Sequence, residues 1–266
     1  MNRAAVLGSP VAHSLSPVLH QAAFVSLGLD DWTYGCIEVA EDGLAGFVGA
    51  LDGSWRGLSL TMPLKRVCLE VADEVSDVAA RTGVGNTLTR LPDGRWRAGN
   101  TDVGGIVDAL RPHWDAAWTT AAIVGAGATA LSAVFALREL GVHDVTVHAR
   151  DLGKADALAH RAESLGLAAH SAQLLADGTQ PVLVSTVPAG VDVSAAVETR
   201  SLVFDVVYDG WPTPLARAAQ AAGVPVVGGL DMLVGQAARQ FEVFTGLAAP
   251  VEAMLVAGRA ALEARA

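Results

Sequence analysis

Ala122-Ile123-Val124-Gly125-Ala126-Gly127-Ala128-Thr129-Ala130 joins an apolar run to a glycine-rich turn and a second apolar run. The stretch satisfies G-x-G-x-x-G/A after a strand and before a helix. Gly125 allows the tight turn, Gly127 lets a ligand approach the backbone, and Ala130 permits close helix–strand packing. Free N–H groups at a helix start attract anions, so the turn suits the pyrophosphate of a dinucleotide. The surrounding window, Ala116 to Leu137, carries no charge and is long enough to span a bilayer. The glycines interrupt it and basic flanks are lacking, so a buried strand, turn and helix is the better reading.

Working outward, the next strand covers Asp144 to His148 and leads to Arg150, with Lys154 one helical turn on. Two cations at that strand tip suit a 2′-phosphate, which favours NADP over NAD. Asp151 would repel a phosphate if it faced the ribose; at the start of a helix from Leu152 to Leu165 it reads as a cap. Further strands are expected at Val182–Thr186, Leu202–Val207 and Val224–Val227, then a helix at Met232–Phe244 and another at the C-terminus. Upstream, strands are expected at Ala4–Leu7, Trp32–Val39 and Leu58–Thr61, and a hairpin around Pro92-Asp93-Gly94. A helix opens with Ser16 as N-cap and Pro17 at the first helical position, and its apolar face is Val18, Leu19, Ala22, Ala23 and Val25. Gly104 to Leu110 reads as helix, broken at Arg111-Pro112. Apolar runs without alternation indicate a mostly parallel sheet covered on both faces, an α/β protein.

Composition narrows the function. The 266 residues carry 28 acidic against 18 basic side chains, a net charge of −10 with no basic run, which argues against nucleic acid as partner. Cys36 and Cys68 have no CxxC or finger spacing and the 7 histidines are dispersed, so no metal site is expected. Met1-Asn2-Arg3 leads into an apolar run that Gly8-Ser9-Pro10 breaks, too short for a signal core. A cytoplasmic protein that does not enter membranes is therefore expected.

Four polar clusters punctuate the apolar first half: Ser14-Leu15-Ser16-Pro17, Ser59-Leu60-Thr61-Met62-Pro63-Leu64-Lys65, Gly85-Asn86-Thr87 and Asn100-Thr101-Asp102. They supply hydroxyls, amides, one ammonium and one carboxylate at strand ends and helix starts, an inventory suited to a small polyhydroxylated acid. Taken singly, each has a plainer reading: Ser16 and Asp102 as helix caps, Asn86 as a turn residue, Lys65 as a solvated lysine. Together and in order, they resemble the shikimate dehydrogenase family, whose S-x-S-P, S-x-T-x-P-x-K, G-x-x-N-T and N-T-D motifs they match. The resemblance continues through the glycine turn, Arg150-x-x-x-Lys154, Asp205-Val206-Val207-Tyr208 with Thr213-Pro214-Leu215, and Gly229-Leu230-Asp231-Met232-Leu233-Val234-Gly235-Gln236-Ala237. Ala149 and Asp151 stand where the family often has Asn and Thr, and Ala128 where it often has Gly.

The resemblance implies reversible reduction of 3-dehydroshikimate to shikimate by NADPH, a step toward chorismate and the aromatic amino acids. It implies a discontinuous substrate domain, 1–102 with 232–266, a Rossmann NADP-binding domain, 103–231, and an active site in the cleft between them. Ser14 and Ser16 would hold the substrate carboxylate; Thr61, Asn86, Asp102 and Gln236 its ring oxygens. Lys65 and Asp102 would be the catalytic pair, Lys65 acting by proton transfer or electrostatic stabilisation, with Tyr208 near the substrate. Gly125, Ala126, Gly127 and Ala128 would take the pyrophosphate and Arg150 with Lys154 the 2′-phosphate. Thr186, Gly229 and Met232 would complete the cofactor site, Met232 near the nicotinamide. The alternatives are a quinate/shikimate dehydrogenase using NAD and a non-catalytic shikimate or NADP sensor; a homodimer is left open, because sequence locates no dimer patch.

Overall fold

The computed structural model describes residues 1–173, 179–197 and 200–265. The chain divides into two compact units, one formed by Met1–Gly105 with Leu233–Ala266 and the other by Ile106–Met232.

In the first unit, β1 (Asn2–Gly8), β2 (Trp32–Glu38) and β3 (Trp55–Leu60) are mutually parallel, with β1 in the middle. Ala4 to Leu7 are buried on both faces of β1, which is why this strand shows no alternation. Together with β4 (Glu74–Val75), β5 (Thr87–Arg90) and β6 (Trp96–Gly99), they form a mixed sheet of order β2-β1-β3-β5-β6-β4. The antiparallel β5–β6 pair is the hairpin expected around Pro92-Asp93-Gly94. One face packs over Leu7, Trp55, Leu58, Leu88 and Trp96. The helices of this stretch are α1 (Ser16–Ser26), α2 (Leu44–Gly49), α3 (Asp77–Thr82) and α4 (Asp102–Leu110). Ser76 caps α3 by accepting the Ala79 N–H at 3.3 Å, and Gly83 ends it with φ +68°, a left-handed conformation that suits glycine.

Two details of α1 correct the reading from sequence. Its N-cap is Leu15; Ser16 is the first helical residue and Pro17 the second, and the Ser16 N–H donates to the Ser14 hydroxyl at 3.2 Å. The helix buries Ser16, Leu19, His20, Ala23 and Phe24 and leaves Val25 exposed, because its inner face is rotated toward the polar positions Ser16 and His20.

In the second unit, β7 (Thr120–Val124), β8 (Asp144–Ala149), β9 (Ala168–Gln173), β10 (Val182–Ser185), β11 (Leu202–Asp205) and β12 (Val226–Gly228) form an all-parallel sheet of order β12-β11-β10-β7-β8-β9. Counted within the unit, this is the 3-2-1-4-5-6 order of dinucleotide-binding folds, with its reversal between β7 and β10. Its helices are α5 (Ala128–Glu139), α6 (Leu152–Glu163) and α7 (Pro214–Ala221). Every residue of α5 from Ala130 to Leu137 is buried, so the charge-free window is a strand, a turn and an interior helix. Among the described residues, no helix is long and apolar enough to cross a membrane.

The chain then runs through α8 (Gly229–Thr245) and α9 (Val251–Glu263), and from Leu233 onward it belongs to the first unit. There, Phe241 is fully buried with its ring 5.7 Å from that of Phe24 on α1.

Candidate active site

Asp102 is the first residue of α4, and the capping there is done by its neighbour. Asn100 Oδ1 accepts the N–H groups of Asp102 (3.0 Å) and Val103 (3.3 Å), which leaves the Asp102 carboxylate free for other work. Lys65, in the turn after β3, donates from Nζ to Asp102 Oδ2 at 2.6 Å. The lysine side chain is 17% exposed and the carboxylate 5%. Shielding from water on that scale strengthens the pair beyond a surface ion pair. Lys65 is therefore a sheltered ammonium held by a buried carboxylate.

Asn86 precedes β5 and is buried. Its amide nitrogen donates to Asp102 Oδ1 at 2.8 Å and lies 3.2 Å from Gln236 Oε1 on α8. Its Oδ1 accepts the Thr101 N–H at 2.8 Å. Lys65, Asn86, Asp102 and Gln236 thus form one connected cluster, drawn from four separate stretches of the first unit. Ser14 and Ser16 meet at the start of α1, and Thr61 follows β3 with its N–H on the Leu7 carbonyl at 2.9 Å. Among the described residues, no direct hydrogen bond joins Ser14, Ser16 or Thr61 to the Asn86 cluster.

The remaining expected site residues lie in the second unit. Gly125 follows β7 with φ +111°, and a Cβ there would fall 2.2 Å from Thr186 Oγ1. Thr186, after β10, donates its hydroxyl and its N–H to the Val124 carbonyl at 3.0 and 2.8 Å. The turn therefore sits at the point where the strand order reverses. Gly127 is the N-cap of α5, with no side chain satisfying the first N–H groups and open space where its Cβ would be. An open, glycine-lined turn with unsatisfied N–H donors fits a dinucleotide pyrophosphate, flanked by Ala126 and Ala128. Arg150 and Lys154 are both exposed at the β8 tip. Asp151 caps α6 through the Lys154 N–H at 3.2 Å, and its carboxylate stands 3.9 Å from Lys154 Nζ. Tyr208 follows β11 and is half-buried. Gly229 packs so tightly that a Cβ would meet the Val206 carbonyl oxygen at 2.0 Å, and Met232 is buried.

Several polar residues behind the Asn86 cluster are not among those the sequence singles out. Gln240 lies one helical turn after Gln236 on α8, so the i, i+4 spacing alone places it on the same face. Its Nε2 donates to the Asn86 carbonyl and to Thr87 Oγ1, each at 3.0 Å, and its Oε1 accepts from Ser59 Oγ at 2.7 Å. Tyr34 OH donates to Ser59 Oγ at 2.6 Å. The His20 ring stacks on Tyr34 at 4.0 Å between centroids. Burial pushes the His20 pKa down to about 3, opposed only in part by Gln240, so the ring is neutral.

Comparison with known proteins identifies the family. Residues 6–88 match the shikimate dehydrogenase substrate binding domain, and residues 229–255 match the shikimate 5'-dehydrogenase C-terminal domain. A shikimate dehydrogenase from Mycobacterium tuberculosis is 46% identical, with 98% of this chain and 100% of that chain covered and a TM-score of 0.90. The shikimate 5-dehydrogenase of Thermus thermophilus, solved in complex with NADP(H) and shikimate, is 34% identical over 98% of this chain and 100% of that chain, with a TM-score of 0.86. By sequence alone, a shikimate dehydrogenase (NADP(+)) from Thermus thermophilus is 37% identical over 268 residues, covering 98% of this chain and 99% of the relative. At that identity over nearly the whole length, and with the same two-unit α/β fold, the chain belongs to the shikimate dehydrogenase family.

Proposed function

We propose that this protein catalyses the reversible NADPH-dependent reduction of 3-dehydroshikimate to shikimate. The observation that carries the reading is the sheltered Lys65–Asp102 pair, Nζ to Oδ2 2.6 Å, bonded through Asp102 to Asn86. NADPH, when bound, supplies the hydride that converts the ketone carbon to a carbinol. The ketone oxygen then gains negative charge, and Lys65 can stabilise it and deliver its proton. Asp102 orients the ammonium and accepts from a substrate hydroxyl, while Asn86, Gln236 and Thr61 bind the other ring oxygens. Ser14 and Ser16 take the substrate carboxylate through their hydroxyls, and Tyr208 lies near the substrate.

In this reading the unit containing Lys65 is the substrate domain and Ile106–Met232 the cofactor domain. Gly125, Ala126, Gly127 and Ala128 receive the pyrophosphate, Arg150 and Lys154 the 2′-phosphate, and Thr186, Gly229 and Met232 the rest of the cofactor. The capping role of Asp151 favours NADP, because a carboxylate engaged with the Lys154 N–H has less freedom to hold a ribose hydroxyl. A cytoplasmic setting belongs to the same reading, supported by the free thiols Cys36 and Cys68. So does a homodimer, for which exposed Val243, Val251 and Val256 offer apolar surface.

The test is NADPH or NADH formation by absorbance at mildly alkaline pH, with shikimate or quinate and NADP+ or NAD+. Turnover confined largely to shikimate with NADP+ is expected. Preference for quinate or NAD+ would overturn the specificity, and a folded protein silent in all four mixtures would overturn the catalytic reading.

A further inference from the structure

The amide of Asn86 must present nitrogen, not oxygen, to Asp102, since a carboxylate can only accept. The Thr101 N–H on Asn86 Oδ1 (2.8 Å) selects that orientation, and a second donor reinforces it: Thr87 Oγ1 also donates to Asn86 Oδ1 at 2.8 Å. A hydroxyl has a single hydrogen, so once Thr87 donates it to Asn86 its oxygen can only accept in any other contact. Gln240 Nε2 donates to that oxygen at 3.0 Å. Gln240 cannot be flipped either. Its other Nε2 hydrogen meets the Asn86 main-chain carbonyl at 3.0 Å, where the amide oxygen would face another acceptor. Ser59 and then Tyr34 extend the series by donating toward Gln240 Oε1.

From Tyr34 through Ser59, Gln240, Thr87 and Asn86, each group thus donates in one direction, ending on Asp102. All five are buried. The ring stacked on Tyr34, His20, is neutral, so among the described residues the charges joined to the series are Asp102 and Lys65 at its end. Buried polar series of this kind hold one geometry when complete, and lose it when a single link leaves a donor or acceptor unmatched.

We propose that Gln240, acting through the Thr87 hydroxyl, is a positioning residue for the reaction: it locks the Asn86 amide and thereby holds Asp102 and Lys65 in reacting geometry. The proposal rests on the reading of Lys65 and Asp102 as the reactive pair. Small displacements of reacting groups are costly in rate, so an effect on the order of tenfold in kcat is expected when the series is cut.

The experiment uses the full chain and compares the parent with Thr87→Val, Thr87→Ser and Gln240→Met in shikimate oxidation by NADP+. Thr87→Val and Gln240→Met are expected to lower kcat about tenfold with the KM for NADP+ unchanged, and Thr87→Ser to recover most of the loss. In parallel, NMR follows exchange of the Asn86 side-chain amide hydrogens, which should be slow in the parent and Thr87→Ser and faster in the other two. Should Gln240→Met fail to fold, Ser59→Ala cuts the series one link further back and is expected to act in the same sense. Values within twofold of the parent for Thr87→Val and Gln240→Met, or a Thr87→Ser as impaired as Thr87→Val, would overturn the proposal. A parent inactive with shikimate overturns the assigned reaction instead, and the exchange of the Asn86 amide then decides the positioning role by itself.

Discussion

In the proposed reaction Lys65 is the residue on which the chemistry turns, and its surroundings set what its removal would do. Lys65→Ala deletes the proposed donor or stabilising charge and leaves the Asp102 carboxylate, 5% exposed, with Asn86 as its remaining partner. We expect kcat to fall by about 10²–10⁴, the usual contribution of a positioned acid or base. The KM for shikimate should change far less, because the hydroxyl and amide donors remain. Steady-state kinetics decide, and near-parental turnover would remove Lys65 from catalysis. At the cofactor end, Arg150→Ala should raise the KM for NADP+ by about 10–100-fold, the range of one charge-assisted hydrogen bond, and leave NAD+ almost untouched. Equal losses for both would place Arg150 away from the 2′-phosphate. Such residues are legible in the sequence only together: singly Lys65 reads as a solvated lysine and Asp102 as a cap, and the ordered clusters carry the family resemblance. What could not be read was which neighbour caps which helix. Ser16 and Asp102 each had a cap as the simpler reading, and the structure gives those places to Leu15 and to the Asn100 side chain. Gln240 shares a face with Gln236 by its i, i+4 spacing, but a glutamine on a helix reads as solvated until tertiary packing buries it.

Among the elements, legibility followed burial. The β7–turn–α5 segment announced itself because an apolar strand, two glycines and an interior helix leave almost no polar residue between Thr120 and Leu137. By contrast β9, Ala168–Gln173, is a mostly exposed edge strand of small and polar residues, and nothing in its pattern marks it as a strand. Short elements such as α2 and β4 lack the length for any period to show. The helix α7 carries a local start signal, the Thr213-Pro214 pair. Thr213 Oγ1 accepts the Ala216 N–H at 3.1 Å and donates to Asp205 Oδ2 at 2.7 Å. Burial raises the Asp205 pKa above the ordinary carboxylate range, and the Thr213 hydroxyl and Val207 N–H oppose it. Thr213→Val removes the helix cap, about 1 kcal/mol, and one partner of a buried carboxylate, about 1–3 kcal/mol more. Urea denaturation should show a loss of about 2–4 kcal/mol, largely restored in Thr213→Ser. A loss below about 0.5 kcal/mol, the scale of an ordinary surface substitution, would mean that neither bond matters to α7.

At the scale of the whole molecule, the discontinuous first unit is closed by residues that return after Leu233, and His20 lies where they arrive. Its ring stacks on Tyr34 of β2 and lies 6.4 and 6.0 Å from the rings of Phe241 and Phe244 on α8. The family resemblance implies that return, with Gln236 coming back to the substrate domain; the aromatic packing around a histidine shows in no sequence pattern. That packing carries a pH dependence with a definite sign. Burial depresses the His20 pKa from 6.5 to about 3, so between those values the unfolded chain binds a proton that the folded unit refuses. The stabilisation is complete above 6.5 and is lost progressively as pH falls toward 3. Between pH 8 and pH 5 the linkage removes about 2 kcal/mol from the first unit. In the second unit His148, also depressed by burial, acts in the same sense, while Asp205, with its raised pKa, acts in the opposite one. Acidification should therefore weaken the first unit more steeply than the second. Peptide-resolved hydrogen exchange at pH 8 and pH 5, corrected for the intrinsic rates, measures this directly: protection in β1, β3 and α1 should drop more than in β7 and β10. His20→Leu, whatever its stability at pH 8, should flatten the slope of the first unit. If the slope survives that substitution, the acid sensitivity belongs to another group and His20 is merely packed.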